Sequence, residues 1–170
     1  MHDPSVSTPP PGHSIAVVAE ADLGELLPLI RAYCDFYEVT PTDAALLELS
    51  RALLADPEKE GLQLLAREGA SGEAVGFATL FWSWSTTSAR RIGTMHDLYV
   101  SPHARGRGLA DELIAACAER CAKRGAVSLQ WQTAPDNRRA QAVYDRVGGV
   151  REPWLNYALE IPLGEADNRP

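Results

Sequence analysis

The segment that most limits what this chain can fold into is Leu98–Ala110, LYVSPHARGRGLA. An apolar run that reads as a strand ends at Ser101-Pro102, and proline cannot continue a central strand. Arg105-Gly106-Arg107-Gly108 then opens directly into an Ala/Leu-rich stretch that predicts a helix over Gly108–Lys123, ending near Gly125. Strand, short glycine loop and helix in direct succession call for a sheet with helices packed on it. Glycines let the backbone come close to a ligand, and the first N–H groups of a helix lack intrahelical acceptors. With the positive end of the helix dipole and two arginines, this is an anion-binding geometry. An ordinary strand-to-helix turn gives the same pattern without a ligand. Neither G-x-x-x-x-G-K-[ST] nor G-x-G-x-x-G is present.

The rest of the chain supplies the remaining layers. Ser14–Ala19 is β-branched and predicts the first strand. Asp22 with Glu25 resembles a capping box, and Leu23, Leu26, Leu27, Ile30, Tyr33, Cys34 and Tyr37 follow at helical spacing, with Pro28 one turn in. Thr40-Pro41-Thr42-Asp43 predicts a second helix start, with Pro41 at the first helical position. Gly61–Glu68 and Ala74–Ser85 read as a hairpin, followed by a strand over Ile92–Val100. Val127–Thr133 predicts another strand, and Asn137–Val147 a helix closed by Gly148-Gly149. Leu155–Ile161 alternates as a terminal strand, with room for a short one near Val150. The order βααβββαβαβ implies a mixed α/β (α+β) fold, a twisted sheet with helices on both faces. Residues 14–163 form one expected domain, between a Pro/Ser-rich tail over 1–13 and a short tail over 164–170.

Composition narrows the function. The 16 Lys and Arg against 23 Asp and Glu give a net charge of −7, which disfavours nucleic acid as a partner. The 45% hydrophobic content excludes a wholly disordered chain. No apolar run approaches the ~18 residues of a membrane span. The polar start of the chain lacks a secretory signal, so a cytoplasmic protein is expected. Cys34, Cys117 and Cys121 fit a reducing compartment, and Cys117 and Cys121 share a helix face as small buried hydrophobes rather than metal ligands.

Asn137, Ala140 and Tyr144 lie three and four apart, so an amide, a small side chain and a phenol share one helix face. Taken with the glycine loop, the chain resembles the GCN5-related N-acetyltransferase (GNAT) superfamily over essentially residues 14–163. Arg105-Gly106-Arg107-Gly108-Leu109-Ala110 is similar to that family's R/Q-x-x-G-x-G/A loop, with alanine in the last place. The strand Asp97–Val100 before it and the Asn137…Tyr144 pair after it also fit. Within the superfamily, FWSWSTTSARRIGTMHDLYV and NRRAQAVYDRVGG resemble the diamine/thialysine branch. The resemblance implies that backbone amides of Arg105, Gly106, Arg107, Gly108, Leu109 and Ala110 hold the acetyl-CoA pyrophosphate. It implies that the main chain of Leu98 and Val100 pairs with the pantetheine arm, that Asn137 bonds near it, and that Tyr144 protonates the departing CoA thiolate. It also implies a homodimer with the last strand as a contact.

The chemistry asks for such parts. An alkylamine with a pKa of ~10.4 is neutral in about one molecule per thousand at pH ~7.4, a barrier of roughly 4 kcal/mol. A base is therefore expected. His96 and Asp97 are the candidates, and as neighbours on a strand they face opposite sides unless a bulge intervenes. Tyr37 and Glu38 at the end of the first helix, and Trp82 and Trp84 on one strand face, are candidate substrate contacts, since aromatics beside acids suit an amine with an apolar stem. Core packing is their plainer alternative. The expected activity is acetyl transfer from acetyl-CoA to a primary amine of a small molecule, with no metal. A noncatalytic acyl-CoA-binding domain and a protein N-terminal or lysine acetyltransferase are the alternatives.

Overall fold

One long apolar stretch builds the centre. Val75–Leu80 is a continuous buried run inside β3 (Ala74–Ser85), flanked by β2 (Gly61–Glu68) and β4 (Arg90–Val100). A strand that is apolar without alternation must be covered on both faces. The computed structural model describes residues 12–69 and 71–161. The expected tails lie outside these limits apart from Gly12 and His13, and His13 already opens β1 (His13–Val17). The sheet runs β1-β2-β3-β4-β5, antiparallel as far as β4. Helices α1 (Leu23–Phe36) and α2 (Asp43–Ala55) cover one face, packing Leu26, Ile30 and Cys34 on Leu65, Phe77 and Tyr99. Helices α3 (Leu109–Lys123) and α4 (Arg138–Arg146) cover the other, where Leu113, Cys117 and Cys121 meet Leu64, Ala78 and Met95. The fold is mixed α/β with helices on both faces. No helix among the described residues is long and apolar enough to cross a membrane.

Several local expectations change. Asp22 does not cap α1 with its side chain; its carboxylate accepts from the Ala19 N–H at 2.8 Å and from Arg67, while Glu25 also turns to Arg67. The cap of α2 is Thr42, whose hydroxyl accepts the Ala45 N–H at 3.2 Å, so the helix begins at Asp43 rather than Pro41. Strand β5 shrinks to Leu129–Gln130, parallel to β4 through Gly93↔Leu129 and Thr94↔Gln130. The stretch Leu155–Ile161 forms no strand, nor does Val150. Two residues of β5 offer too little edge for a seven-residue strand to register on.

One irregularity in β4 sets the orientation of everything after it. Thr79 pairs with Asp97 and Leu80 with Met95, leaving His96 as an extra residue, a β-bulge. Before it, Gly93 and Met95 face α3; after it, Leu98 and Val100 do, while Tyr99 packs on the α1 side. Without the bulge those faces would be exchanged.

Burial raises the Cys117 thiol to about 12 and the Cys121 thiol to about 11, as for inert core groups. Cys121 also fixes the residue at Gly93, where a Cβ would lie 2.3 Å from its Sγ and 3.1 Å from Leu80 Cδ1. Gly93→Ala should lower stability by about 1–3 kcal/mol in a chemical-denaturation titration. Adding Cys121→Ala should recover part of that loss; equal stability of Gly93→Ala and the parent would contradict the packing.

Candidate active site

Strand β5 leaves β4 after Thr94, so the β5-side edge of Met95–Val100 is unpaired. The Ser101 N–H donates to Val75 O across β3 at 2.8 Å. Alternate residues of an antiparallel strand turn their N–H and C=O to opposite edges, so those of Leu98 and Val100 face the open side. The Val100 carbonyl is already occupied by Arg105 Nε at 2.8 Å, leaving the Leu98 groups and the Val100 N–H. A cavity of about 660 Å³ fills the gap, between this edge and Trp131, Gln132 and Thr133 on the diverging chain.

One end of the cavity is the glycine turn. Gly106 and Gly108 have φ of 79° and 84°, the left-handed region that a side chain resists, and a Cβ at either would meet nothing within 4 Å. The first intrahelical bond of α3 runs from the Glu112 N–H to Gly108 O, so the N–H groups of Leu109, Ala110 and Asp111 have no intrahelical acceptor. An open cradle with free donors fits a phosphate. The arginines contribute less than expected. Arg107 turns away to Glu68 Oε1 at 2.6 Å, holding that carboxyl below its ordinary range, and is absent from the cavity wall. Arg105 lines the cavity but is bound to Val100 O and lies 5.9 Å from the Tyr99 ring. The positive character of this turn therefore comes from backbone amides and the helix dipole.

Helix α4 supplies the opposite wall. Asn137 caps it, its Oδ1 accepting the Ala140 N–H at 3.1 Å, which leaves the amide nitrogen toward the cavity that Asn137 lines. Tyr144 lies one face along, its ring 5.3 Å from Trp131. Burial, and secondarily the Tyr37 phenol across the cavity, raise the Tyr144 pKa above its ordinary value, so the group stays protonated near neutrality. Arg146 grips Asp111 through two bonds of 2.9 and 2.6 Å, tying α4 to the start of α3.

The remaining candidates divide. The bulge leaves the His96 side chain 68% exposed on the cavity, edge-on to Phe81 at 5.7 Å, with Nδ1 3.3 Å from Asp97 Oδ1. Asp97, 20% exposed, stands behind it on the α1 side and does not line the cavity. Tyr37 lines it; Glu38, exposed at the helix end with φ of 56°, does not. Trp82 and Trp84 are elsewhere. Trp82 is buried on the α3 side, donating from Nε1 to Pro57 O at 2.9 Å beneath Arg124, and Trp84 is an exposed hairpin residue stacked by Arg91. Both face away because β3 runs past the cavity to form the distal hairpin. Sequence reasoning missed Tyr33, Phe36 and Trp131 on the wall. The i,i+4 spacing of Tyr33 and Tyr37 was the one available signal.

Comparison with known proteins agrees with this geometry. The profile of the Acetyltransferase (GNAT) family matches residues 26–149. The Bacillus subtilis protein described as uncharacterized N-acetyltransferase YhfO is 32% identical over 145 residues, 84% of this chain and 93% of that one. Thialysine N-epsilon-acetyltransferase of Bos taurus is 32% identical over 160 residues, 86% of this chain and 90% of that one. Aminoglycoside N-acetyltransferase AAC(6')-Iy, solved in complex with CoA, shares the fold with a TM-score of 0.75 at 21% identity, covering 88% of this chain and 95% of that one. A cavity opened by a parted sheet, a left-handed glycine cradle and a helix-borne phenol thus stand in a chain that belongs to the GNAT family of acetyltransferases, and it is an N-acetyltransferase of that family.

Proposed function

We propose that the protein transfers the acetyl group of acetyl-CoA to a primary amine of a small molecule by direct attack. The observation that carries this reading is the convergence of three groups on one cavity: the free amides after Gly108, the Tyr144 phenol, and the His96 imidazole backed by Asp97. The Gly106–Ala110 turn holds the diphosphate of the donor, and Leu98, Val100 and the Asn137 amide meet its amide-bearing arm as an added strand would. When His96 donates Nδ1–H to Asp97, its Nε2 lone pair is free to take a proton from the incoming ammonium. The neutral amine nitrogen then bonds to the thioester carbon, the C–S bond breaks as Tyr144 gives its proton to the thiolate, and the second nitrogen proton passes through water to the Tyr144 phenolate, leaving the amide and the CoA thiol while His96 returns its proton to solvent. Cys117 and Cys121 are packed in the core and take no part, so no covalent enzyme intermediate is invoked.

Phe36 and Tyr37, exposed at the end of α1, give the acceptor an aromatic rim suited to an amine on an apolar stem. A relative agrees in class, since the Bos taurus enzyme is named a thialysine N-epsilon-acetyltransferase. The protein also works as a homodimer. Leu155, Tyr157, Leu159 and Ile161 alternate and are 77–91% exposed, while the outer edge of β5 is unpaired, so a second copy of the chain can cover both.

Tyr144→Phe should lower kcat about ten- to a hundredfold with little change in the KM for acetyl-CoA, because a thiolate needs only modest assistance in leaving; equal turnover would remove its role. Acetyl-CoA should raise the Tm of the parent protein, and Gly108→Val should abolish that rise, since a β-branched residue resists φ of 84° and places its side chain in the cradle. Light scattering should give a dimeric mass that becomes monomeric when residues 153–170 are deleted; a monomer at all concentrations would overturn the assembly. Mass spectrometry of acetyl-CoA with pooled amines tests the acceptor class, and acetylation of none across a broad panel would leave a binding domain.

A further inference from the structure

The turn that opens α3 is loose by sequence and is held by its neighbours. Gly106 and Gly108 both take the left-handed region, and glycine has more conformational freedom to lose on ordering than any other residue. Two arginine side chains fasten the turn. Arg105 Nε donates to Val100 O at 2.8 Å, tying it to β4. Arg107 reaches the other way, donating from Nη1 to Glu68 Oε1 at 2.6 Å and from Nη2 to His103 O at 3.4 Å. Glu68 ends β2. Its second oxygen accepts the Ser71 hydroxyl at 3.3 Å, and its N–H donates to Glu73 O at 2.9 Å across the hairpin. The Glu73 carboxylate in turn stands 3.5 Å from His103 Nε2. Two carboxylates at the end of the β2–β3 hairpin thus meet the His103–Arg107 segment from outside the cavity.

Resting on the reading of this turn as the diphosphate site, we propose that Glu68 is a positioning residue: by holding Arg107 it fixes the turn in the conformation that presents its amides. Arg107 is absent from the cavity wall, so its guanidinium serves the turn from behind. The hydrogen bond from Arg107 is the main cause that holds the Glu68 carboxyl below its ordinary range, so the bond is charge-assisted near neutrality. The two side chains are 48% and 28% exposed, and an ion pair so placed adds little to overall stability. Its effect is local. It removes freedom from a two-glycine turn before the ligand arrives, a cost that binding would otherwise meet. The opposite arrangement, an Arg107 that binds phosphate and is masked by Glu68, predicts the opposite sign. Removing the carboxylate would then release a phosphate ligand and tighten binding, whereas removing a staple loosens it.

Calorimetric titration of the full chain with CoA separates these outcomes. Glu68→Gln should raise the Kd about two- to fivefold, with kcat at saturating acetyl-CoA and the KM for the amine in place. Arg107→Gln should weaken binding to the same extent, and in a double-mutant cycle the second substitution should cost nothing once the first is present. Glu68→Asp, which keeps the charge on a shorter stem, should recover part of the affinity. An unchanged or lowered Kd for Glu68→Gln would overturn the proposal, as would additive losses or a far larger loss for Arg107→Gln than for Glu68→Gln. Thermal unfolding of the unliganded variants supplies the control for folding: a Kd that follows the Tm rather than the charge at position 68 would also overturn it. A parent chain that binds no CoA defeats the reading of the turn and this proposal with it, whereas a parent that binds CoA and is matched by Glu68→Gln defeats the proposal alone.

Discussion

The molecule turns on the parting of β4 from β5. Two residue pairs hold these parallel strands together, and beyond Thr94 and Gln130 they diverge. A parted sheet leaves unsatisfied N–H and C=O groups along one edge, which water or a ligand must meet. Here that edge is Met95–Val100, and a cavity of about 660 Å³ opens along it, closed by α1, the glycine turn and α4. The bulge at His96 works on the same strand. It shifts the residue alternation by one, which sends Leu98 and Val100 to the α3 side and Asp97 to the α1 side.

Electrostatics at the two ends of the cavity differ in kind. At the glycine turn the positive character comes from peptide N–H groups and the α3 dipole, because Arg107 is paired with Glu68 and Arg105 with a carbonyl. In the proposed reaction, a site made of backbone donors would receive the diphosphate of acetyl-CoA without the desolvation cost of free guanidinium groups. At the other end the groups are weakly charged or neutral: two phenols with raised pKa values, an imidazole and one screened carboxylate. The proposed reaction would use these groups to move protons one at a time between an amine and a thiolate.

The helices act as struts for these ends. Arg146 bound to Asp111 keeps α4, and therefore Tyr144, at a fixed distance from the turn that begins α3. Asn137 serves two needs, capping α4 with its oxygen while its nitrogen remains for the cavity. Gly149 continues the strut, its N–H closing the helix on Tyr144 O at 2.8 Å while its lack of a side chain admits Trp131.

Local signals in the sequence determined the hairpin β2–β3, the helix after Gly108, the α4 face with Asn137 and Tyr144, and the family resemblance. Each of these depends on short-range causes: glycine φ, helical period, a proline stop. Tertiary structure alone decided which face each β4 residue takes, because His96 becomes a bulge only through its pairing with β3. It alone moved Trp82 and Trp84 off the cavity and brought in Tyr33 and Trp131. An aromatic at the right period fits a core and a cleft equally well, and only the packing of α1, α3 and α4 around the parted sheet separates the two. The terminal alternation at Leu155–Ile161 makes the same point: a strand pattern states a preference for an edge, and the edge must be long enough to receive it.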